Sequence, residues 1–208
     1  TNNELISDIS CDKWLEYIRD LKKAYPTKVV VASIMEEPNQ ARWQELTDKV
    51  VQAGADIIEL GLPFSDPLAD GIVNQMAAER ALKSGLTTVR VLDLVREFRK
   101  SHQTPIVLFT YLNPIFTYGF DSFHHDAAAA GADGILLLDL PPDEAAHNDD
   151  LGGGSGLKTI RLIAPTTPDE RIPTLAAASE GFIYYVSRAG VTGVQPELST
   201  GIAGQVAK

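Results

Sequence analysis

The feature that most constrains the fold is a regular alternation of short apolar runs with longer stretches of helical periodicity. The apolar runs are rich in β-branched residues and occur at residues 29–34, 56–60, 105–110, 134–138, 159–163 and 182–186. Nearly every position within them is apolar, which is typical of parallel strands covered on both faces. Helical spacing of apolar residues marks the intervening stretches 11–24, 40–53, 74–84, 87–101, 122–130 and 168–178. The alternation predicts an α/β fold of the (β/α)8, or TIM, barrel type.

The predicted strands are too few to close a barrel of this type. Such a barrel has eight strands, whereas the apolar runs supply six. Residues 4–7 could form a seventh strand, but residues 194–208 contain no clear apolar run. We therefore expect residues 1–208 to form a single barrel domain that is incomplete or closes in an unusual way.

The composition argues against some classes of binding partner and indicates a cellular compartment. The formal net charge of −10 argues against nucleic acid or an anionic membrane surface as a partner. It is compatible with a phosphorylated ligand, because backbone N–H groups at a helix terminus bind phosphate. Cys11 is the single cysteine, so an internal disulfide is excluded. No apolar run is long enough to span a bilayer, and residues 1–4 do not resemble a signal peptide. We expect a cytoplasmic protein.

Residues 55–71 carry the strongest indication of chemistry. Glu59 lies inside an apolar run that predicts a buried strand, and Asp66 and Asp70 follow in the next loop. Burying a carboxylate is costly unless the group is paired or used. Glu59 is therefore either a proton-transferring group or a structural carboxylate that accepts backbone hydrogen bonds. Asp70 is either a binding group beside the strand end or a solvated turn residue, and Asp66 is expected to fix the turn.

From about residue 54 to about residue 205 the sequence resembles the tryptophan synthase α subunit. Beside residues 55–71, the blocks that match are PIVLFTYLNPIFTYG (105–119), AGADGILLLDLPPDEA (130–145), APTTPDERI (164–172) and GFIYYVSRAGVTG (181–193). The resemblance implies a lyase that needs no cofactor and cleaves indole-3-glycerol phosphate to indole and glyceraldehyde 3-phosphate by a retro-aldol reaction. It also implies a partner, the pyridoxal-phosphate-dependent β subunit, contacted through loops that correspond to residues 63–70 and 113–119.

The same resemblance implies roles for individual residues. Glu59 would protonate the indole ring and then take a proton from the adjacent hydroxyl, while Asp70 would accept a hydrogen bond from the indole N–H. Tyr184 matches the family tyrosine near the catalytic glutamate, with ordinary barrel packing as the alternative. The residues expected to bind the substrate are Phe109, Tyr111, Thr192 in a loop that closes over the site, and Gly193 at the phosphate, with Leu62 and Leu137 as weaker pocket candidates.

Two departures from the α-subunit pattern affect these predictions. The remainder of the family's phosphate site follows strands seven and eight, after residue 208, so activity is expected to be impaired. Residues 33–38 replace the Thr-Ala-Gly-Asp-Pro sequence of the α subunit. Residues 3–60 resemble instead the flavin-binding barrel of dihydropyrimidine and dihydroorotate dehydrogenases, through NELISD (3–8) and WLEYIRDLKKAYPTKVVVASIMEE (14–37). The sequence thus suggests a chimera of a dehydrogenase-like portion, residues 1–53, and an α-subunit-like portion, residues 54–208.

Two alternative functions stay open, and three features are predicted to be structural. One alternative is an FMN-dependent pyrimidine or dihydroorotate oxidoreductase, and the other is an inactive recombined barrel that self-associates through an open sheet edge. Residues 152–156, Gly-Gly-Gly-Ser-Gly, are predicted to be a flexible spacer. His124 and His125 are predicted to lie on a solvated helix face, and residues 143–150 to form an exposed loop.

Overall fold

A computed structural model describes residues 9–34, 39–186 and 204. Its helices are α1 (Cys11–Ala24), α2 (Gln40–Ala53), α3 (Ile72–Lys83), α4 (Thr88–Phe98), α5 (Leu112–Tyr118), α6 (Phe120–Ala130), α7 (Ala146–Ser155) and α8 (Ile172–Ala177), with 3-10 turns at Pro142–Glu144 and Asp169–Arg171. Its strands are β1 (Val31–Ile34), β2 (Ile57–Gly61), β3 (Ile106–Thr110), β4 (Gly134–Leu137), β5 (Lys158–Thr159), β6 (Arg161–Ile163) and β7 (Ile183–Tyr185). The predicted strands are confirmed, the fifth being divided into β5 and β6. The suggested strand at residues 4–7 lies outside the described residues.

The strands are all parallel and follow one another in chain order. β1 to β5 form one sheet, and β6 pairs with β7. The register aligns Ser33 of β1 with Glu59 of β2, and Glu59 with Val107 of β3. Ile160 N still donates to Ile135 O of β4 at 2.9 Å, and the sheet divides directly after this residue. The carboxyl ends of the strands consequently lie along one edge, where the loop after β2 also begins.

The central strands β2, β3 and β4 are buried on both faces, as their nearly continuous apolar runs predicted, whereas exposed and buried residues alternate along β1. One face contributes to a large cluster packed with the helices, which includes Ile58, Leu60, Ile106, Leu108, Ile135, Trp43 and Phe98. The opposite face contributes to a second cluster, which includes Ile57, Val107, Phe109, Leu136, Leu162 and Tyr184. Because successive side chains of a strand point to opposite faces, Glu59 shares the face of Ile57. The carboxylate therefore projects to the side of the second cluster.

Asp56 joins three elements at the amino end of the sheet. Its carboxylate accepts hydrogen bonds from Lys22 Nζ and from Val30 N, both at 2.8 Å. Lys22 belongs to α1, Val30 precedes β1 and Asp56 precedes β2. The hydrogen bond from Lys22, followed by that from Val30, lowers the pKa of Asp56 below its usual value. We call this arrangement, in which one acid binds a neighbouring strand's backbone and a basic side chain, a strand clamp.

The strand clamp recurs twice along the chain. Asp133, before β4, accepts from Ile106 N at 2.8 Å and pairs with Arg99. Glu180, before β7, accepts hydrogen bonds from a backbone N–H and a lysine of β5, at 3.2 Å and 2.9 Å. The first two clamps share the residue pattern Ala-Gly-Ala-Asp at 53–56 and 130–133. The repeat in the sequence is thus a repeat of the same polar contact at the amino ends of the strands.

Removing one strand clamp should destabilise the fold in a pH-dependent way. Asp56→Ala is expected to cost about 1–3 kcal/mol of unfolding free energy at pH 7, because a charged acceptor of two hydrogen bonds is lost. The pKa of Asp56 is lowered in the folded state. Its contribution is therefore complete above the ordinary value of about 3.9 and is lost as the pH falls through the folded value. Urea unfolding of both proteins from pH 7 to pH 3 measures this difference. An equal loss in Asp20→Ala, an exposed α1 control, would contradict it.

The prediction for His124 is wrong, whereas His125 is exposed as predicted. His124 is buried, with Nδ1 2.9 Å from Phe120 O and Nε2 2.8 Å from Asn148 Oδ1. α6 packs against α7 at this point, and the histidine joins the two helices. A histidine whose two ring nitrogens both have hydrogen-bond partners can be buried at little cost in free energy. The residue type alone does not reveal whether such partners exist.

The loop predicted at residues 143–150 and the spacer predicted at residues 152–156 are helical instead, although most of residues 143–150 are exposed as predicted. The first segment contains a 3-10 turn and the start of α7, and the second continues that helix. Gly152 is buried against the following strand, where a Cβ atom would lie 3.0 Å from Leu157 O and 3.1 Å from Thr159 Oγ1. Gly156, at φ 85°, ends the helix in the left-handed conformation. Close packing at Gly152 and helix termination at Gly156 therefore account for two of these glycines.

Candidate active site

A cavity of about 260 Å³ lies at the carboxyl ends of β1, β2, β3 and β7. Its lining consists of Ser33, Ile34, Glu59, Gly61, Leu62, Ala69, Asp70, Asn74, Phe109, Thr110, Tyr111, Leu138 and Tyr184. Five of the residues predicted for the site, Glu59, Asp70, Phe109, Tyr111 and Tyr184, thus line one cavity. Thr192 and Gly193 lie outside the described residues. The weaker candidate Leu62 lines the cavity, but Leu137 does not.

The prediction for Leu137 is wrong by one residue. Leu137 packs against the helix-side cluster, and Leu138 takes the position in the cavity. Both leucines are apolar and adjacent, so the sequence does not distinguish their faces. Because successive side chains of a strand point to opposite faces, Leu137 faces the helices and Leu138 faces the cavity.

Glu59 is the most buried carboxylate of the cavity. Its residue is only 5% exposed. Burial raises the pKa of Glu59, and a hydrogen bond with the Ser33 side chain opposes that effect by stabilising the charged form. A carboxyl group with a raised pKa can hold a proton nearer to neutral pH than an exposed glutamate does. Such a group can both donate and accept a proton.

The carboxylate of Asp70, just before α3, is held in place by two neighbours, Tyr111 and Asn74. Tyr111 Oη donates to Asp70 Oδ2 at 2.9 Å, and Asn74 Nδ2 lies 3.3 Å from Oδ1. Tyr111 Oη also accepts from Ala69 N at 2.9 Å. Burial is the main cause that raises the pKa of Tyr111 to about 12, so the hydroxyl remains a donor at neutral pH. These contacts fix the direction of the carboxylate. Tyr111 therefore orients Asp70 in addition to lining the cavity.

Aromatic rings line the cavity between the five-stranded sheet and the pair formed by β6 and β7. The rings of Phe109 and Tyr184 lie 5.6 Å apart, centroid to centroid, at an angle of 42°. Burial, and secondarily the charge of Glu59, raises the pKa of Tyr184 to about 12. Tyr184 therefore keeps its proton at neutral pH. A flat apolar ligand could stack beside these rings while a polar group meets Glu59.

The sequence reasoning missed two polar residues of the cavity. In the sequence, Ser33 stands in a segment that departs from the α-subunit pattern, and Asn74 begins a predicted helix. A signal for each existed: Ser33 interrupts an apolar strand, and Asn74 stands one helical turn after Asp70. Asp66, in contrast, does not line the cavity and accepts from Ser65 Oγ at 2.6 Å within the turn.

Two searches of the described ranges gave negative results. No cluster of three or more His, Cys, Asp or Glu side chains in these ranges could hold a metal ion. In the same part of the chain, no helix has both the length and the apolar character needed to cross a membrane.

Comparison with known proteins gives one consistent family. A relative from Pelobacter propionicus, named tryptophan synthase alpha chain, is 46% identical over 183 residues, which are 88% of this chain and 68% of the relative. One of the same name from Opitutus terrae is 49% identical over 158 residues, 76% of this chain and 59% of the relative. The chain therefore spans between 59% and 68% of the length of these two relatives.

Solved structures agree with this similarity. Tryptophan synthase subunit alpha from Legionella pneumophila superposes with a TM-score of 0.73 and 41% identity, covering 83% of this chain and 66% of that one. The tryptophan synthase complex from Pyrococcus furiosus gives a TM-score of 0.70 and 40% identity, covering 76% of this chain and 65% of that one. These likenesses confirm the predicted barrel type.

The family assignment also includes most of the segment that resembled a flavin barrel. A sequence profile described as "Tryptophan synthase alpha chain" matches residues 9–208. The match crosses residue 53 without interruption, and these comparisons give no support to a flavin-barrel segment or to a chimera. The chain belongs to the tryptophan synthase alpha chain family.

Proposed function

We propose that this chain is a carbon–carbon lyase that cleaves indole-3-glycerol phosphate to indole and glyceraldehyde 3-phosphate. The observation that carries the proposal is the position of Glu59 and Asp70, which line one cavity with Phe109 and Tyr184. An indole ring is flat and apolar with a single N–H donor. The aromatic wall suits the ring, and an anchored carboxylate suits the N–H group.

In the proposed reaction the two carboxyl groups have different tasks. Protonated Glu59 gives its proton to the ring carbon that bears the glycerol chain, which places positive charge on the indole. Asp70 stays anionic and accepts a hydrogen bond from the ring N–H, so it stabilises that charge. Glu59, now charged, takes the proton of the adjacent hydroxyl. The carbon–carbon electron pair returns to the ring as the bond breaks, and a carbonyl forms on the leaving fragment.

The environments of the two groups support this division of labour. Glu59 is buried and has a raised pKa, as a group that must carry a proton requires. Asp70 accepts a hydrogen bond from Tyr111 Oη, which holds its carboxyl group in a fixed orientation at the cavity. Both steps are proton transfers between side chains and substrate, so the proposal includes no cofactor.

An indole-release assay tests the proposal directly. Purified chain is mixed with indole-3-glycerol phosphate, and indole and glyceraldehyde 3-phosphate are measured separately. We expect equal amounts of both products, with release proportional to protein concentration. No release from protein shown to be folded would contradict the proposal and favour the inactive barrel suggested by the sequence.

We further propose a tryptophan synthase β subunit as partner, bound by the loop at residues 63–70 and by residues 113–119, which belong to α5 and its C-cap rather than to a loop. Relatives from Pyrococcus furiosus are described as complexes, one of them as a2b2. In this chain Leu68 is 86% exposed and Phe116 is 73% exposed, after the adjacent strands β2 and β3. Large apolar side chains exposed in this way are typical of interaction surfaces.

Charging this apolar surface should weaken the binding of the β subunit. Leu68→Asp or Phe116→Asp is expected to raise the dissociation constant by about tenfold or more, since a charge would have to be desolvated at the interface. Isothermal titration with purified β subunit measures the change. Val89→Asp, on the exposed face of α4, is the matched control. Equal weakening by the control would contradict the assigned surface.

The remaining sequence predictions are also proposals. A single barrel domain is supported by the pairing of β1 with β2, which joins the N-terminal portion to the rest of the sheet. A dehydrogenase-like origin of residues 1–53, which the comparisons do not support, would predict bound flavin, and a colourless purified protein would contradict it. The cytoplasmic location stays a prediction from the cysteine content.

A further inference from the structure

Ser33 is the polar side chain of β1 at the cavity. The parallel register places it directly beside Glu59 of β2. Both residues line the same cavity, and Ser33 is exposed whereas Glu59 is buried. Its neighbours in the strand, Ala32 and Ile34, are buried and apolar. A serine in this place contributes little to the apolar core, and its side chain forms a hydrogen bond with the Glu59 carboxyl group.

We propose that Ser33 is a positioning residue, whose hydroxyl holds the Glu59 carboxyl group in the orientation that faces the cavity. The inference rests on the proposed function for its effect on catalysis. The contact itself is a property of the folded chain and can be measured without substrate.

The chemistry of a hydroxyl suits this task in both protonation states of the glutamate. Ser33 can donate a hydrogen bond to the charged carboxylate and accept one from the protonated acid. A backbone N–H or a lysine can only donate, so it could not accept the hydrogen bond of the O–H group in the protonated acid. Because Glu59 must give up a proton and then take one back, a partner that changes from donor to acceptor keeps the carboxyl group in place through both steps.

The hydrogen bond also limits the effect of burial. Desolvation raises the pKa of Glu59, and the contact with Ser33 lowers it. The other titratable groups that face the cavity are Asp70 from the loop after β2, Tyr111 after β3 and Tyr184 from β7. Both tyrosines have a pKa of about 12, so they do not titrate near neutral pH.

The first test is a carbon-13 NMR titration of the glutamate carboxyl groups in the whole chain. Glu59→Gln identifies the signal of Glu59 by its disappearance. Ser33→Ala is expected to raise the pKa of Glu59 by about one unit, which corresponds to loss of a hydrogen bond to a charged group. Ser33→Thr keeps the hydroxyl on a residue that suits a strand, and should restore the wild-type value. Ser101→Ala, which removes a serine hydroxyl away from the cavity, should leave it unchanged.

The second test measures indole release by the same variants. Ser33→Ala is expected to lower kcat about tenfold with a small change in KM, and to move the acidic limb of the pH profile with the NMR value. Ser33→Thr should recover most of the rate.

The outcomes separate this inference from the function on which it rests. An unchanged pKa of Glu59 in Ser33→Ala would overturn the contact. A changed pKa with an unchanged kcat would overturn the positioning role, while the lyase stands. If the wild-type chain releases no indole, the proposed function fails and the titration still decides whether Ser33 holds Glu59.

Discussion

Glu59→Gln is expected to reduce indole release by about 100-fold or more, because the substitution removes the group that moves both protons. The amide has nearly the shape of the carboxyl group and can still accept a hydrogen bond from Ser33. KM should therefore change much less than kcat. Steady-state assays with protein of confirmed helical content measure the two constants.

The same variant should be at least as stable as the wild type at pH 7, which distinguishes a catalytic from a structural carboxylate. Burial raises the pKa of Glu59. The unfolded chain therefore loses this proton first, and Glu59 destabilises the fold increasingly as the pH rises from about 4.3 through the folded value. Glu79→Gln, on the exposed face of α3, serves as the control and should keep full activity. A destabilised Glu59→Gln protein with normal turnover would contradict both parts of the prediction.

Phe98→Ala should strongly lower the free energy of unfolding. Phe98 is fully buried at the end of α4. Its ring meets Trp43 of α2 edge to face, with centroids 6.0 Å apart, and stacks on His102 at 4.6 Å. Truncating such a side chain to alanine costs about 3–5 kcal/mol. That is a large part of the roughly 5–15 kcal/mol available to an ordinary domain.

Urea unfolding followed by circular dichroism measures this loss. Phe98→Leu should cost less, since it preserves most of the buried volume. Phe116→Ala makes the same chemical change at an exposed site and should alter the unfolding free energy by less than about 0.5 kcal/mol. A similar loss in both alanine variants would mean that Phe98 does not anchor the packing of α2 on α4.

The sequence predicted those parts of the fold that depend on local periodicity. Runs with nearly every residue apolar mark the strands, and helical spacing gives the ends of α1 and α2 correctly. Predictions failed where long-range packing decides the outcome. The sequence alone predicts a spacer at Gly152, because it does not show that the following strand packs against this glycine. His124 reads as a surface residue until Asn148 is placed beside it by another helix.

The sequence predicted those residues of the site whose chemical type and position together indicate a function. A glutamate inside an apolar strand and an aspartate at the end of the following loop indicate chemistry without coordinates. The choice between Leu137 and Leu138 depends on where the strand ends. The contact between Ser33 and Glu59 depends on strand register, which the sequence does not specify. A residue that only orients another side chain, as Ser33 does, is therefore harder to identify from the sequence than a buried charged residue.

The strand clamps lie at the opposite edge of the sheet from the cavity. Asp56 and Asp133 fix the beginnings of strands, whereas Glu59 and Asp70 lie near the ends and in the loop beyond. The side chains that hold the strands together are thus different from those proposed to carry out the reaction. Exchanging the loops around the cavity for those of another barrel would leave the anchoring untouched, so this scaffold should tolerate extensive redesign of its specificity before it loses its shape.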